Sequence, residues 1–251
     1  MIIRYIHDHL NADLIEQSYE KFRSLNLWGG PSLDFHRMTI SRLRQQQQLA
    51  DFSYVSLLQN EDFLLPLYGT LATWGLHRMG ARRRMIRFDV FKEQVRSMAD
   101  LLNDVARTTL SDFSLEQISC RRKEILSLFK GPRITEIPEE TQQDNNSVPI
   151  LVANSKLLHH LHPDLFPPID RMYIVRYFYC KKIDVKQVPI PNTIDRQAEF
   201  FWEILTEYKR FYDSHRKIVN GYLNPDITGM ETSITKIIDN IVVGYTEITR
   251  G

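Results

Sequence analysis

Between Pro149 and Cys180 the sequence reads PILVANSKLLHHLHPDLFPPIDRMYIVRYFYC, which gathers one lysine, three histidines and two aspartates. A lysine amine can act as a nucleophile that forms a Schiff base, provided a neighbouring group orients it and moves protons. Lys156 and Asp170 are the candidates for that pair, and His159 and His160 are auxiliary polar groups beside them. A metal is not expected. Adjacent residues on a helix diverge by about 100°, so His159 and His160 do not converge on one ion, and no zinc-type spacing accompanies them. There is no phosphate-cradling glycine loop, no dinucleotide fingerprint and no nucleophile elbow, so no cofactor is expected either. Cys180 closes an apolar run, where a thiol is usually inert.

Two helices and a turn must position these groups. On a helical wheel Leu151, Leu157, Leu158 and Leu161 fall in one arc, and Lys156, His159 and His160 lie opposite. The spacing predicts an amphipathic helix with a Lys/His face. Pro163 stops it. Pro167 and Pro168 hold the following turn extended, because each disfavours helical geometry in the residue before it. Asp170 then stands where a second helix, Arg171 to Cys180, begins; a carboxylate is favoured there by unpaired N–H groups. That helix is apolar or aromatic nearly all round, which predicts burial and a rigid seat for Asp170.

The densest positive run is His77-Arg78-Met79-Gly80-Ala81-Arg82-Arg83-Arg84. Read functionally, Arg78, Arg82, Arg83 and Arg84 are phosphate contacts. Read otherwise, they are cations at a helix end and on a solvated loop. The whole chain carries a net charge of only +1, so any nucleic-acid binding needs such a local patch.

The rest of the 251 residues reads as helix after helix. Residues 1–10 are expected as a short strand or extended arm, then helices at 11–26, 32–48, 61–79, 88–107 and from Ser114 to about Phe129. Others follow at 195–214 and 230–243. Ser114 with Gln117, and Thr228 with Glu231, have capping-box spacing. Residues 131–149 are polar and carry three prolines, which predicts a long loop or a subdomain boundary. The fold expected is all-α: an irregular domain of nine or ten helices, with two lobes if that boundary is real. No apolar run is long enough to span a membrane, and the widely separated Cys120 and Cys180 suggest a reduced, cytoplasmic protein.

The order of apolar helix, lysine, proline-rich turn, aspartate and buried helix resembles the second half of the helix-hairpin-helix DNA glycosylase superfamily, over roughly residues 60–180. Val152-Ala153-Asn154-Ser155-Lys156 take the place of that family's hairpin and lysine, and Pro168-Ile169-Asp170 take the place of its apolar-apolar-Asp element. Leu151-Val152-Ala153-Asn154 stand where the family has glycines, fourteen positions separate Lys156 from Asp170, and no four-cysteine cluster signature follows. The resemblance implies a base-excision glycosylase or lyase acting on DNA, with Lys156 as nucleophile and Asp170 as its orienting acid/base. The rival expectation is a non-enzymatic helical interaction module, in which both residues are structural and the arginines meet an acidic protein partner.

Overall fold

A computed structural model describes residues 2–25, 30–76, 84–137, 149–223 and 230–250. The described residues are mostly helical, as the periodicity predicts. They form thirteen α-helices where nine or ten were expected. The excess comes from short helices, whose few turns give periodicity little to act on. One is α1, Ile6–His9, within the stretch expected to be extended. Another is α4, Tyr54–Gln59. The stretch expected as one helix over 88–107 is two, α6 (Phe88–Arg96) and α7 (Ala99–Val105), parted at Ser97 and Met98.

α2 (Ala12–Ser24) is capped by the Asn11 side chain, which accepts from the N–H of Leu14. α3 is Pro31–Gln47 and α5 is Glu61–Thr73. α8 (Leu115–Cys120) opens with the expected Ser114/Gln117 capping box. α9 is Arg122–Lys130. Two short strands, β1 (Arg84–Met85) and β2 (Thr135–Glu136), pair antiparallel, so the polar stretch after Gly131 begins as an ordered ladder. Residues 138–148 of that stretch lie outside the described residues.

α10 (Leu151–Leu161) runs through the middle of the molecule, and nearly every residue on it is buried. Its Lys/His face is therefore turned inward, onto other protein, and not toward solvent. A π turn (Arg171–Val175) and α11 (Arg176–Tyr179) follow, so the second helix of the expected pair starts wide and is short. α12 (Ile194–Gly221) is longer than expected and breaks at His215, whose φ of −127° and ψ of 25° are not helical. α13 (Ile234–Ile248) is capped by Ser233, which accepts from the N–H of Lys236; Thr228, the start expected from its capping-box spacing, lies outside the described residues.

α13 lies against α2 at very close range. A Cβ placed on Gly244 would sit 1.8 Å from the carbonyl oxygen of Ser18, so only glycine fits there. The first residues are also tied down. The Arg4 guanidinium donates to the carbonyls of Tyr177, Cys180 and Lys181 at the end of α11. The Ile2 N–H donates to Glu203 on α12. The principal apolar core is continuous through all these elements, from Tyr54 and Leu58 through Phe129, Leu157, Phe166 and Phe201 to Ile241. A smaller apolar cluster of Phe22, Trp74, Met230 and Val243 lies apart from it.

Candidate functional site

The Lys156 side chain is 5% exposed, and its Nζ lies 3.8 Å from Oδ2 of Asp170, which is 31% exposed. The proline turn thus brings the two together across fourteen positions of sequence. Its registration comes from Ser155, whose hydroxyl accepts the N–H of Ile169 at 3.1 Å. Asp170 does two things at once. Its Oδ1 caps the π turn, accepting from the N–H groups of Met172 at 2.6 Å and Tyr173 at 3.2 Å. Its Oδ2 faces the amine. The cap fixes the carboxylate's orientation, as the sequence suggests it should.

Lys156 Nζ also donates to the carbonyl of Trp74 at 2.5 Å. Trp74 ends α5, and the chain turns away at Gly75 with a φ of +98°. A helix C-terminus attracts a cation to its last carbonyls. Burial is the largest influence on the amine and lowers its pKa from the usual lysine value; Asp170 and Asp239 oppose that shift, and Lys236 adds to it.

Lys236 and Asp239 were not singled out by the sequence, and they complete the cluster. Both project from the first turns of α13 and are buried. Lys236 Nζ donates to Oδ2 of Asp239 and, at 2.7 Å, to Oδ1 of Asn240. It also lies over the rings of Phe22, at 5.6 Å, and Trp74, at 5.5 Å. Burial pushes the Asp239 carboxyl upward, with Lys236 the main opposing charge.

The histidines form a neutral layer behind the amine. His160 Nδ1 donates to the carbonyl of Lys156 at 2.8 Å, which leaves Nε2 to accept from His36 Nδ1 at 3.0 Å. His36 Nε2 then accepts from the Thr232 hydroxyl at 3.1 Å. Burial drives all of these rings toward the neutral form: His160 falls to about 3, and His36 and His159 fall well below the usual 6.5. His159 serves a different end, donating from Nδ1 to the carbonyl of Phe166 and so holding the proline turn.

Of the four arginines, Arg78, Arg82 and Arg83 lie outside the described residues. Arg84 opens β1 and donates to Glu136 of β2 at 2.7 Å, so its charge already has a partner. Val152 to Ser155 are the first turns of α10 and do not form a hairpin. Among the described residues no group of three or more His, Cys, Asp or Glu side chains could hold a metal ion. An open groove of about 480 Å³ lies elsewhere, along α8 and α9; its Arg122 and Lys130 are paired with Glu199 and Asp195. None of the described helices is long and apolar enough to cross a membrane.

Signals for the missed residues did exist. His36 occupies an apolar position of α3, between Leu33 and Ile40. Lys236, Asp239 and Asn240 recur at three and four within a helix otherwise rich in isoleucine, which is the spacing of side chains that meet.

Comparison of the chain with protein-family models, with curated proteins and with solved structures finds no match.

Proposed function

We propose that this protein acts on nucleic acid as a glycosylase or lyase, with Lys156 as nucleophile and Asp170 as its orienting acid/base. The observation that carries the reading is the buried Lys156 amine, 3.8 Å from a carboxylate oxygen that is itself partly open to solvent. Burial favours the unprotonated amine that such chemistry requires. In the reaction Nζ attacks the anomeric carbon of a sugar whose base has been turned out of the helix. The bond from that carbon to the base nitrogen breaks, and its electron pair leaves with the base. Asp170 takes a proton from the attacking amine; the nitrogen lone pair then forms the C=N bond as the bond from the anomeric carbon to the ring oxygen breaks, Asp170 returns the proton to that oxygen, and an iminium between Lys156 and the opened sugar remains. Arg78, Arg82 and Arg83, with Arg84 once released from Glu136, would hold the phosphates. In this reading the protein works in the cytoplasm.

The test is chemical. The protein is incubated with abasic and lesion-bearing duplexes and treated with borohydride, which reduces an iminium to a stable amine. We expect a covalent adduct that disappears in Lys156→Ala. Asp170→Asn should abolish turnover with the fold intact, because asparagine caps a helix about as well as aspartate. An adduct that survives Lys156→Ala excludes this nucleophile.

A second reading is favoured by the bond from Lys156 to the Trp74 carbonyl. Lys156 is then a tether at the end of α5, and the protein is a helical interaction module for an acidic partner. No adduct with any duplex, together with loss of folding in Lys156→Ala, would select it.

A further inference from the structure

The cluster around Lys156 holds a second lysine and a second aspartate, and the reaction proposed above uses neither. We propose that Lys236 and Asp239 are positioning residues that set the protonation of Lys156 in opposite senses, the ammonium favouring its free amine and the carboxylate opposing it. This inference rests on Lys156 being the reactive amine.

The geometry is the ground for it. Both lysines meet at Trp74: Lys156 Nζ donates to its carbonyl, and Lys236 Nζ lies over its ring. The Lys236 ammonium is held by Asp239 and Asn240 and lies over the rings of Phe22 and Trp74. Its place is fixed from behind, since α13 lies on α2 with only a hydrogen at Gly244 separating the helices. Beside the Lys156 amine stand Asp170, 3.8 Å away after the proline turn, and, across Trp74, the Lys236–Asp239 pair of α13; Lys236 favours loss of the proton and both aspartates oppose it. The His160 ring on its own helix stays neutral. In so dry a place a unit charge acts more strongly than in water. Both partners come from one helix, three positions apart, so a single element adjusts the amine in either direction.

The two substitutions therefore have opposite expected signs, which a merely structural role would not produce. The Lys156 side chain is titrated by NMR on protein labelled at the lysine side chains, its signal assigned by its loss in Lys156→Arg. Lys236→Met should raise the titration midpoint and Asp239→Asn should lower it, each by about one pH unit, a tenfold change in free amine at fixed pH. Lys236→Arg keeps the cation and should leave the midpoint near that of the wild type. If Lys236→Met fails to fold because Asp239 is left alone, Lys236→Met is made in the Asp239→Asn background, where it should still raise the midpoint relative to Asp239→Asn. Midpoints that move together, or do not move, overturn the inference. The titration needs no substrate, so opposed shifts without any borohydride adduct would keep the tuning pair and remove the enzyme reading. An adduct with unmoved midpoints would do the reverse.

Discussion

The two faces of α10 are equally dry and chemically opposite. On one side Leu157, Leu158 and Leu161 join Tyr54, Phe129, Phe166 and Phe201 in a hydrocarbon core. On the other, His160 meets His36, and Lys156 faces Asp170 and shares Trp74 with the Lys236–Asp239 pair. The first region is held by apolar area removed from water, and it tolerates inexact partners. The second is held by hydrogen bonds and paired charges, each of which must be answered, because an unanswered buried polar group costs more than a good bond contributes. Amphipathic patterning, then, separates polar from apolar neighbours; it does not separate protein from water.

Acid should divide the two regions most sharply. The rings of His36, His159 and His160 are held below 6.5 by burial. Unfolded, they take up protons as the pH falls through 6.5; folded, they do not. Stability is therefore full above 6.5 and is lost below it, down to about pH 3 for His160. Between about pH 7.5 and 5.5 each of these three rings should cost on the order of 1 kcal/mol. Denaturant unfolding at the two pH values checks this, and an unchanged midpoint would mean the rings are charged in the fold. Replacing Phe201 by alanine should cost about 3–5 kcal/mol at either pH, since the phenyl ring it removes carries no charge at any pH.

Next come the charges. Lys236→Met alone should cost about 3–5 kcal/mol by stranding Asp239, while Lys236→Met with Asp239→Leu should be near neutral or stabilising. A double variant as damaged as the single would show that this half, too, depends on exact shape. Asp170→Ala should cost about 1 kcal/mol through the lost cap, and Asp170→Asn only a few tenths. Smallest of all, Arg84→Ala should change stability by less than about 1 kcal/mol, because its pair with Glu136 is solvent-exposed. Thermal melts read both.

Much of this was visible in the sequence where local rules decide the outcome. Asp170 follows two prolines and precedes an apolar helix, and it caps that helix as expected. Ser114 and Gln117 form their box. The Lys/His face of α10 was legible too, but not what covers it. That depends on α13, α3 and the end of α5, brought in from distant sequence. Periodicity picked out the isoleucines of α13 and passed over Lys236 and Asp239, because the pattern of one helix carries no record of its neighbour. His36 was counted with the apolar positions of α3, which gave its burial correctly and its bonding not at all.

The close seat of Gly244 on α2 bears on how the chain is made. Tyr19 and Glu231, 212 positions apart, are hydrogen-bonded at 3.0 Å just ahead of that contact. At about 5–20 residues per second, α2 emerges on the order of ten to forty seconds before α13 exists. Through that interval Ile15, Tyr19 and Phe22, all buried in the finished fold, lack the helix that packs most closely on them. The chain must carry an apolar helix without its α13 cover for most of its own synthesis, and a product cut short before Ile234 would carry it so permanently.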